Sequence, residues 1–365
     1  MTEVADIFRQ HAAAYQHKYG DRILLSHKKA IRAILQCRTE ALGGHVCTCS
    51  ACAQVQYRYH SCRNRHCPKC QSGRGQEWLE TQRDFLLGVP YFLLTFTLPQ
   101  ELRKVARSNQ KAIYSLLFRA AAQATQRLAQ DPRFVGGQLG MIGVLHTWGR
   151  NLSYHPHVHY LVPAGGLAPE GWRPARRKFL LPVKALSNIY RAKFRDGLRK
   201  CDLFNEVPEQ VWQQKWVVHC KPVGDGLGAL KYLAPYIFRV AISNRRVVRL
   251  EDGQVTFRYK DTASGKTRHC TLSAEAFIRR FLQHVLPKGF VKVRYYGLFS
   301  PGKRRELSRV RAQLDNLPQD NPSEAVSGEE LEGEDKASQS CPQCPACGHE
   351  MALSGLLDPV QCRPP

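Results

Sequence analysis

Apolar side chains recur at three- and four-residue intervals at the start of the chain, at Ala5, Phe8, Ala12, Tyr15 and Tyr19. That period predicts helix to about residue 36. Apolar positions then thin out, and 37–75 reads as loop, too poor in apolar side chains to fold on a core of its own. A helix is expected over 76–87. Between 90 and 300 the two periods mix, which predicts the main globular body. Strands are expected at 91–98, 140–148, 153–162 and 211–222. Meander strands are expected at 245–259 and 268–272. Helices are expected at 99–129, 184–203, 227–238 and 274–285. Gly149-Arg150-Asn151 supplies hairpin chemistry between two of the strands. From 315 on, eight acidic residues sit among Pro, Ser and Gly with Lys336 the only base, a composition that predicts a disordered linker to residue 340.

Charge narrows the class. Fifty-four Lys and Arg against 30 Asp and Glu give +24 over 365 residues. Such a field attracts polyanions and is unlike that of a small-molecule enzyme. Nucleic acid is the expected partner, and no basic amphipathic helix speaks for a membrane surface. The first residues carry no basic and apolar leader, and no apolar stretch is long enough to span a bilayer. The expected location is cytoplasmic and reducing, so the 14 cysteines are expected to bind metal, not to form disulfides.

Seven cysteines lie between Cys37 and Cys70 and four between Cys341 and Cys362. Cys49-Ser50-Ala51-Cys52 and Cys67-Pro68-Lys69-Cys70 are two CxxC knuckles whose thiolates are expected to close one tetrahedron about Zn²⁺. Cys37, Cys62 and His66, with one more ligand, are candidates for a second zinc. His45, Cys47 and His60 remain as further donors. The interleaved bases Arg63, Arg65 and Lys69 are expected to contact phosphate. In the tail, Cys341, Cys344 and Cys347 form a knuckle-like run with only His349 and Cys362 nearby to complete a site.

His155, His157 and His159 fall two apart in an apolar strand. Side chains at i, i+2 and i+4 share one face, and three neutral imidazoles are a common catalytic metal set. His146 lies across the expected hairpin, within reach of the same metal. Tyr232 and Tyr236 are one helical turn apart, with Pro235 between them. A phenol can attack a phosphodiester and hold it covalently, and a metal on the phosphate oxygens would stabilise the charge that builds there.

The order of these features resembles the two-tyrosine HUH transposases of rolling-circle insertion sequences, the IS91 family. The resemblance runs to about residue 300. It is carried by Cys37-Arg-Thr-Glu-Ala-Leu-Gly-Gly-His45, Ser61-Cys-Arg-Asn-Arg-His-Cys-Pro-Lys-Cys-Gln71, Phe96-Thr-Leu-Pro99, Tyr154-His-Pro-His-Val-His159, the segment from Tyr232 to Arg245, and Arg294-Tyr-Tyr-Gly297. It implies an α+β fold: an antiparallel sheet flanked by helices, related to the RNA-recognition (ferredoxin-like) core, behind a small zinc-binding domain. It implies a metal-dependent single-stranded DNA endonuclease and strand transferase. Mg²⁺ or Mn²⁺ would sit on His157 and His159, with His155 or His146 as third ligand. Tyr232 and Tyr236 would be the nucleophiles, leaving a 5′-phosphotyrosine and a 3′-hydroxyl. Arg239, Arg245 and Arg246, in or beside the matching segment, join Arg63, Arg65 and Lys69 as expected DNA contacts. The expected layout is a helix and zinc-binding domain at 1–88, the nuclease domain at 89–312, the linker at 313–340 and a cysteine-rich tail at 341–365. The competing readings are a rolling-circle replication initiator or relaxase, and a non-catalytic zinc-knuckle DNA-binding protein.

Overall fold

The computed structural model describes residues 2–360 except 71–73, 84, 177, 229, 232, 234–240, 262–263 and 317–342. The helix Arg304–Asp315 runs into the start of the linker expected at 313–340; the linker from 317 on and the cysteines at 341 and 362 lie outside the described residues.

The body is built on a five-stranded sheet in the order β12-β4-β5-β3-β8, every neighbour antiparallel. Its strands are β3 (Pro90–Thr97), β4 (Gly140–Trp148), β5 (Tyr154–Pro163), β8 (Val218–Asp225) and β12 (Val293–Gly297). The sheet, with helices on both faces, is a mixed α/β arrangement of the expected antiparallel kind. β4 and β5 form the expected hairpin, closed by Gly149 N–H donating to the Ser153 carbonyl at 2.8 Å. Alternation along β5 sends Tyr154, Val158, Tyr160 and Val162 into one core with the helices Gln110–Ala129 and Val183–Arg199. On the opposite face Ile142, Val144 and Leu161 pack with Leu79, Leu230, Leu233, Leu307 and Val310.

Two expectations for this body fail locally. The helix expected over 99–129 is broken: a 3₁₀ turn precedes the helix Arg103–Ser108, and Asn109 (φ −125°, ψ 43°) separates it from Gln110–Ala129. The Asn109 side chain donates to the Val105 carbonyl, the local competition that makes asparagine a helix stop. The strand expected over 211–222 begins only at Val218. Gln210–Gln213 is a short helix whose Val211 joins the core.

A second core spans the chain. Val4, Ile7 and Phe8 of the helix Val4–Tyr19, with Ile31 and Ile34 of the helix Leu25–Gln36, pack against Val255, Phe257, Phe277 and Phe281. The latter come from the meander β9 (Val247–Glu251), β10 (Gln254–Lys260), β11 (Thr267–Ser273) and from the helix Ala274–Leu282. A small ribbon, β6 (Gly165–Ala168) with β7 (Gly171–Pro174), extends the body.

The segment 37–75, expected as loop, carries two strands, β1 (Gly44–Cys49) and β2 (Val55–Tyr59). They belong to a three-stranded sheet whose third member is β13 (Met351–Leu357), from the far end of the chain. No pattern within 37–75 could predict a strand supplied about 300 residues away. No helix among the described residues is long and apolar enough to cross a membrane.

Candidate functional site

The register of β4 on β5 sets His146 opposite His157 and Val144 opposite His159. His157 and His159 share a face by alternation, and His146 reaches them from the neighbouring strand. The three side chains bring ligand nitrogens within 4.8 Å of one another. Hydrogen bonds orient two of the rings. Nδ1 of His159 meets the Thr95 hydroxyl at 2.9 Å, and Nδ1 of His157 donates to the His155 carbonyl at 2.7 Å. Nε2 of each is the nitrogen left for a cation, the orientation that outer partners give metal-bound imidazoles. Burial pushes His157 down to about 4, and holds His146 and His159 well below the usual imidazole range, with help from the His159 and His157 rings on His146 and from His157 on His159. The rings are therefore neutral at pH 7, as ligation requires. The donor set fits a divalent metal.

His155, an expected third ligand, is not in this group. Its Nδ1 is bonded to the Arg103 guanidinium at 2.8 Å. Strand alternation could not weigh it against His146, because that choice depends on cross-strand register. Thr95 was also missed. It faces His159 across the β3–β5 ladder, and only that pairing marks it.

Tyr232 and Tyr236 lie outside the described residues, as does Arg239. The residues around Tyr232 are informative. Residues 226–228, 230, 231 and 233 are helical, and Leu230 and Leu233 are buried in the cluster that holds Val144 and Leu161. Those two residues belong to the sheet face that carries the histidines.

The thiols form two tetrads. Cys37, Cys62, Cys67 and Cys70 make one; Cys49, Cys52, Cys344 and Cys347 make the other. The expected pairing of Cys49 and Cys52 with Cys67 and Cys70 is therefore wrong: β2 lies between the two knuckles, and the first, at the end of β1, meets the tail. Cys37 to Cys70 measures 3.4 Å and Cys62 to Cys70 3.5 Å. Four thiolates at about 2.3 Å from a zinc would lie about 3.8 Å apart, whereas a disulfide measures about 2.05 Å. The tetrads have the dimensions of zinc sites. His66, expected beside Cys37 and Cys62, is elsewhere. Its Nε2 accepts from the Leu286 N–H at 3.3 Å, and burial pushes it down to about 3. His45 and His60 pack edge to face on each other and join neither tetrad.

Several expected DNA contacts already bond to groups of the protein itself, Arg65 although it is exposed. Arg65 donates to the carbonyls of Phe290 and Pro287 at 2.6 and 2.8 Å, bracing the first tetrad against the body. Lys69 pairs with Glu3 at 2.6 Å. Arg246 donates to the carbonyls of Arg258 and Arg150. Arg63 and Arg245 are exposed. Unsatisfied carbonyls attract guanidinium groups as well as phosphates do, and composition does not distinguish the two fates.

Three imidazoles gathered on neighbouring strands of an antiparallel sheet and two cysteine tetrads, in a strongly basic chain, are donor sets that could hold metals in a protein whose charge suits a polyanion. Residues 140–307 match the family described as "Putative transposase", and residues 7–98 match "Transposase zinc-binding domain". The chain is 38% identical to "Putative transposase y4qJ" of Sinorhizobium fredii, over 99% of this chain and 98% of that protein. It is 29% identical to "Transposase for insertion sequence element IS801" of Pseudomonas savastanoi pv. phaseolicola, over 74% of this chain and 70% of that protein. The chain belongs to the IS91 family of transposases, with an N-terminal zinc-binding domain. No solved structure matches it significantly.

Proposed function

We propose that this transposase is an HUH nuclease that cuts and rejoins single-stranded DNA at insertion-sequence ends, through a 5′-phosphotyrosine, in rolling-circle transposition. The observation that carries the reading is the three-imidazole group on one sheet face, with Leu230 and Leu233, flanking Tyr232, buried on that same face. His146, His157 and His159 would hold Mg²⁺ or Mn²⁺. When bound, that ion would polarise the scissile phosphate and offset the charge that develops on it. Thr95 and the His155 carbonyl fix two of the rings, so the ligands are set before DNA arrives. Tyr232 and Tyr236 are the nucleophiles. A phenolate oxygen bonds to phosphorus, the bond from phosphorus to the 3′ oxygen breaks, and that oxygen leaves as a hydroxyl after taking a proton. The energy of the phosphodiester is retained in the new ester, so a 3′-hydroxyl can later reverse the step and join the strand elsewhere. Two phenols allow two such transfers without release of the ends. The zinc module supplies contact to the element ends, and the exposed Arg63 and Arg245 supply phosphate contacts.

The test is covalent trapping with Mn²⁺ and single-stranded oligonucleotides drawn from the element's ends. The wild type is expected to form a protein–DNA adduct that resists denaturant. Tyr232→Phe with Tyr236→Phe is expected to abolish the adduct, and His157→Ala to abolish cleavage while sparing binding. Cleavage by the double tyrosine variant would overturn the nucleophile assignment.

A further inference from the structure

The second tetrad joins residues near the two ends of the chain. Cys49 and Cys52 come from the turn after β1, and Cys344 and Cys347 from the turn before β13. Cys49 to Cys347, Cys52 to Cys344 and Cys52 to Cys347 each measure 3.5 Å. These spacings are far from a disulfide and near the edge of a zinc tetrahedron.

The two turns are built alike. The N–H groups of Ala51 and Cys52 point to the Cys49 sulfur and that of Gln54 to Cys52. In the tail the N–H groups of Ala346 and Cys347 point to Cys344 and that of His349 to Cys347. Amide donors on four sulfurs favour the thiolate form that metal binding needs. Each turn is also closed by the same backbone bond: Ala53 N–H donates to the Cys49 carbonyl, and Gly348 N–H to the Cys344 carbonyl, at 3.0 and 2.8 Å.

The surrounding backbone is shaped to admit the tail. Gly43 has φ +66°, and a Cβ placed there would lie 2.4 Å from the Leu357 carbonyl oxygen. β13 pairs with β1 from Gly44–Leu357 to Cys49–Met351, with a bulge at Val46 and Cys47. Across that bulge Ser354 meets the Thr48 hydroxyl at 2.7 Å and the Val46 carbonyl at 3.2 Å. The apolar support is slight. Among the described residues, Cys47, Cys49, Cys344 and Met351 form the buried cluster beneath the site. Cys47 is in a disulfide, a correction to the expectation that the cysteines form none, and in a sheet with so little core a metal adds to what that bond holds.

We infer that Cys49, Cys52, Cys344 and Cys347 form a second structural zinc site that staples the C-terminal tail to the N-terminal zinc module. The site closes the chain on itself and keeps β13 as the outer strand of that module's sheet. Each tetrad has two buried thiols; the other two of the second, Cys52 and Cys347, are exposed, whereas those of the first, Cys62 and Cys70, are half-buried. The staple therefore surrenders its metal first, and the tail leaves with it.

The experiment measures zinc per chain together with backbone amide exchange in the intact protein. The wild type is expected to carry two zincs. Cys344→Ser with Cys347→Ser, and separately Cys49→Ser with Cys52→Ser, are each expected to carry one. Both double variants are expected to speed exchange across 44–49 and 351–357 while leaving 27–36 protected. In the wild type, with a reductant present to open the Cys47 disulfide, a mild chelator is expected to remove one zinc in a fast phase, with exposure of 351–357 in step, whereas the reductant alone leaves 351–357 protected. Double variants that keep the wild-type zinc content would overturn the inference. So would a tail that stays protected after the first zinc has gone. The chelator arm needs no substitution, so a variant that fails to fold leaves the inference open to refutation.

Discussion

The two cysteine tetrads have the same four ligands and opposite settings. The first draws its thiols from 37–70, and two of them, Cys37 and Cys67, are part of the large core that unites the first two helices with the meander. The second draws its thiols from positions about 300 residues apart, and its own apolar cluster has four members among the described residues. In the first, metal and core support one another. In the second, metal must offset the entropy of bringing distant chain segments together with little burial to help. Identical ligand chemistry therefore serves as a foundation in one place and as a clasp in the other.

The comparison is tested most severely by single thiol losses. Cys67→Ser is expected to cost several kcal/mol, because an apparent zinc affinity of roughly 10–16 kcal/mol sits within the folding free energy of such sites. It is expected to unfold the N-terminal helices with the module and lower the melting temperature of the whole chain. Cys347→Ser is expected to release the tail and barely move the main transition. Equal effects on the melting curve would remove the distinction between foundation and clasp.

A milder contrast concerns ligands near in sequence against ligands near in space. His146→Ala is expected to reduce metal-dependent cleavage by about 100-fold or more, and His155→Ala by about tenfold or less, comparable to losses at outer partners. A steady-state oligonucleotide cleavage assay over a Mn²⁺ titration reads both. A larger loss at His155 would show that the strand's own alternation governs the site, not the β4–β5 register.

The smallest expected effect is electrostatic. Burial pushes His27, beside the first tetrad's core, down to about 4. Above pH 6.5 both folded and unfolded chains hold it neutral. Below 6.5 the unfolded chain takes a proton that the fold refuses until about pH 4, so stability falls across that window. His27→Leu is expected to flatten the fall by the share of one proton, read from denaturant unfolding between pH 7 and pH 5 against the wild type. An unchanged slope would mean that His27 is protonated in the fold.

Much of the architecture was legible along the chain. β3, β4, β5 and the meander announce themselves by alternation and by turn residues, signals carried within each strand whichever neighbour it pairs with. The helix break at Asn109 was not legible in the apolar period, because one side chain's bond to a backbone carbonyl decided it. At the candidate site, His157 and His159 followed from spacing on a single strand. Thr95 did not, because it becomes a partner only when β3 lies beside β5. Arg65 and Lys69 were read as phosphate contacts from charge alone. Packing gave their charges carbonyl and carboxylate partners instead.

By itself the sequence determined which chemistry this protein carries: thiols in pairs, imidazoles on one strand, a basic surface and the motifs of an IS91-family transposase. All of that is written in side-chain type and short spacing, which chain connectivity preserves in any fold. Only the tertiary structure decided which donors meet. Strand register chose His146 over His155, and a strand from the tail parted the two CxxC knuckles. Ligand sets are closed by contacts across space, and those depend on how the backbone pairs, which local periodicity does not encode.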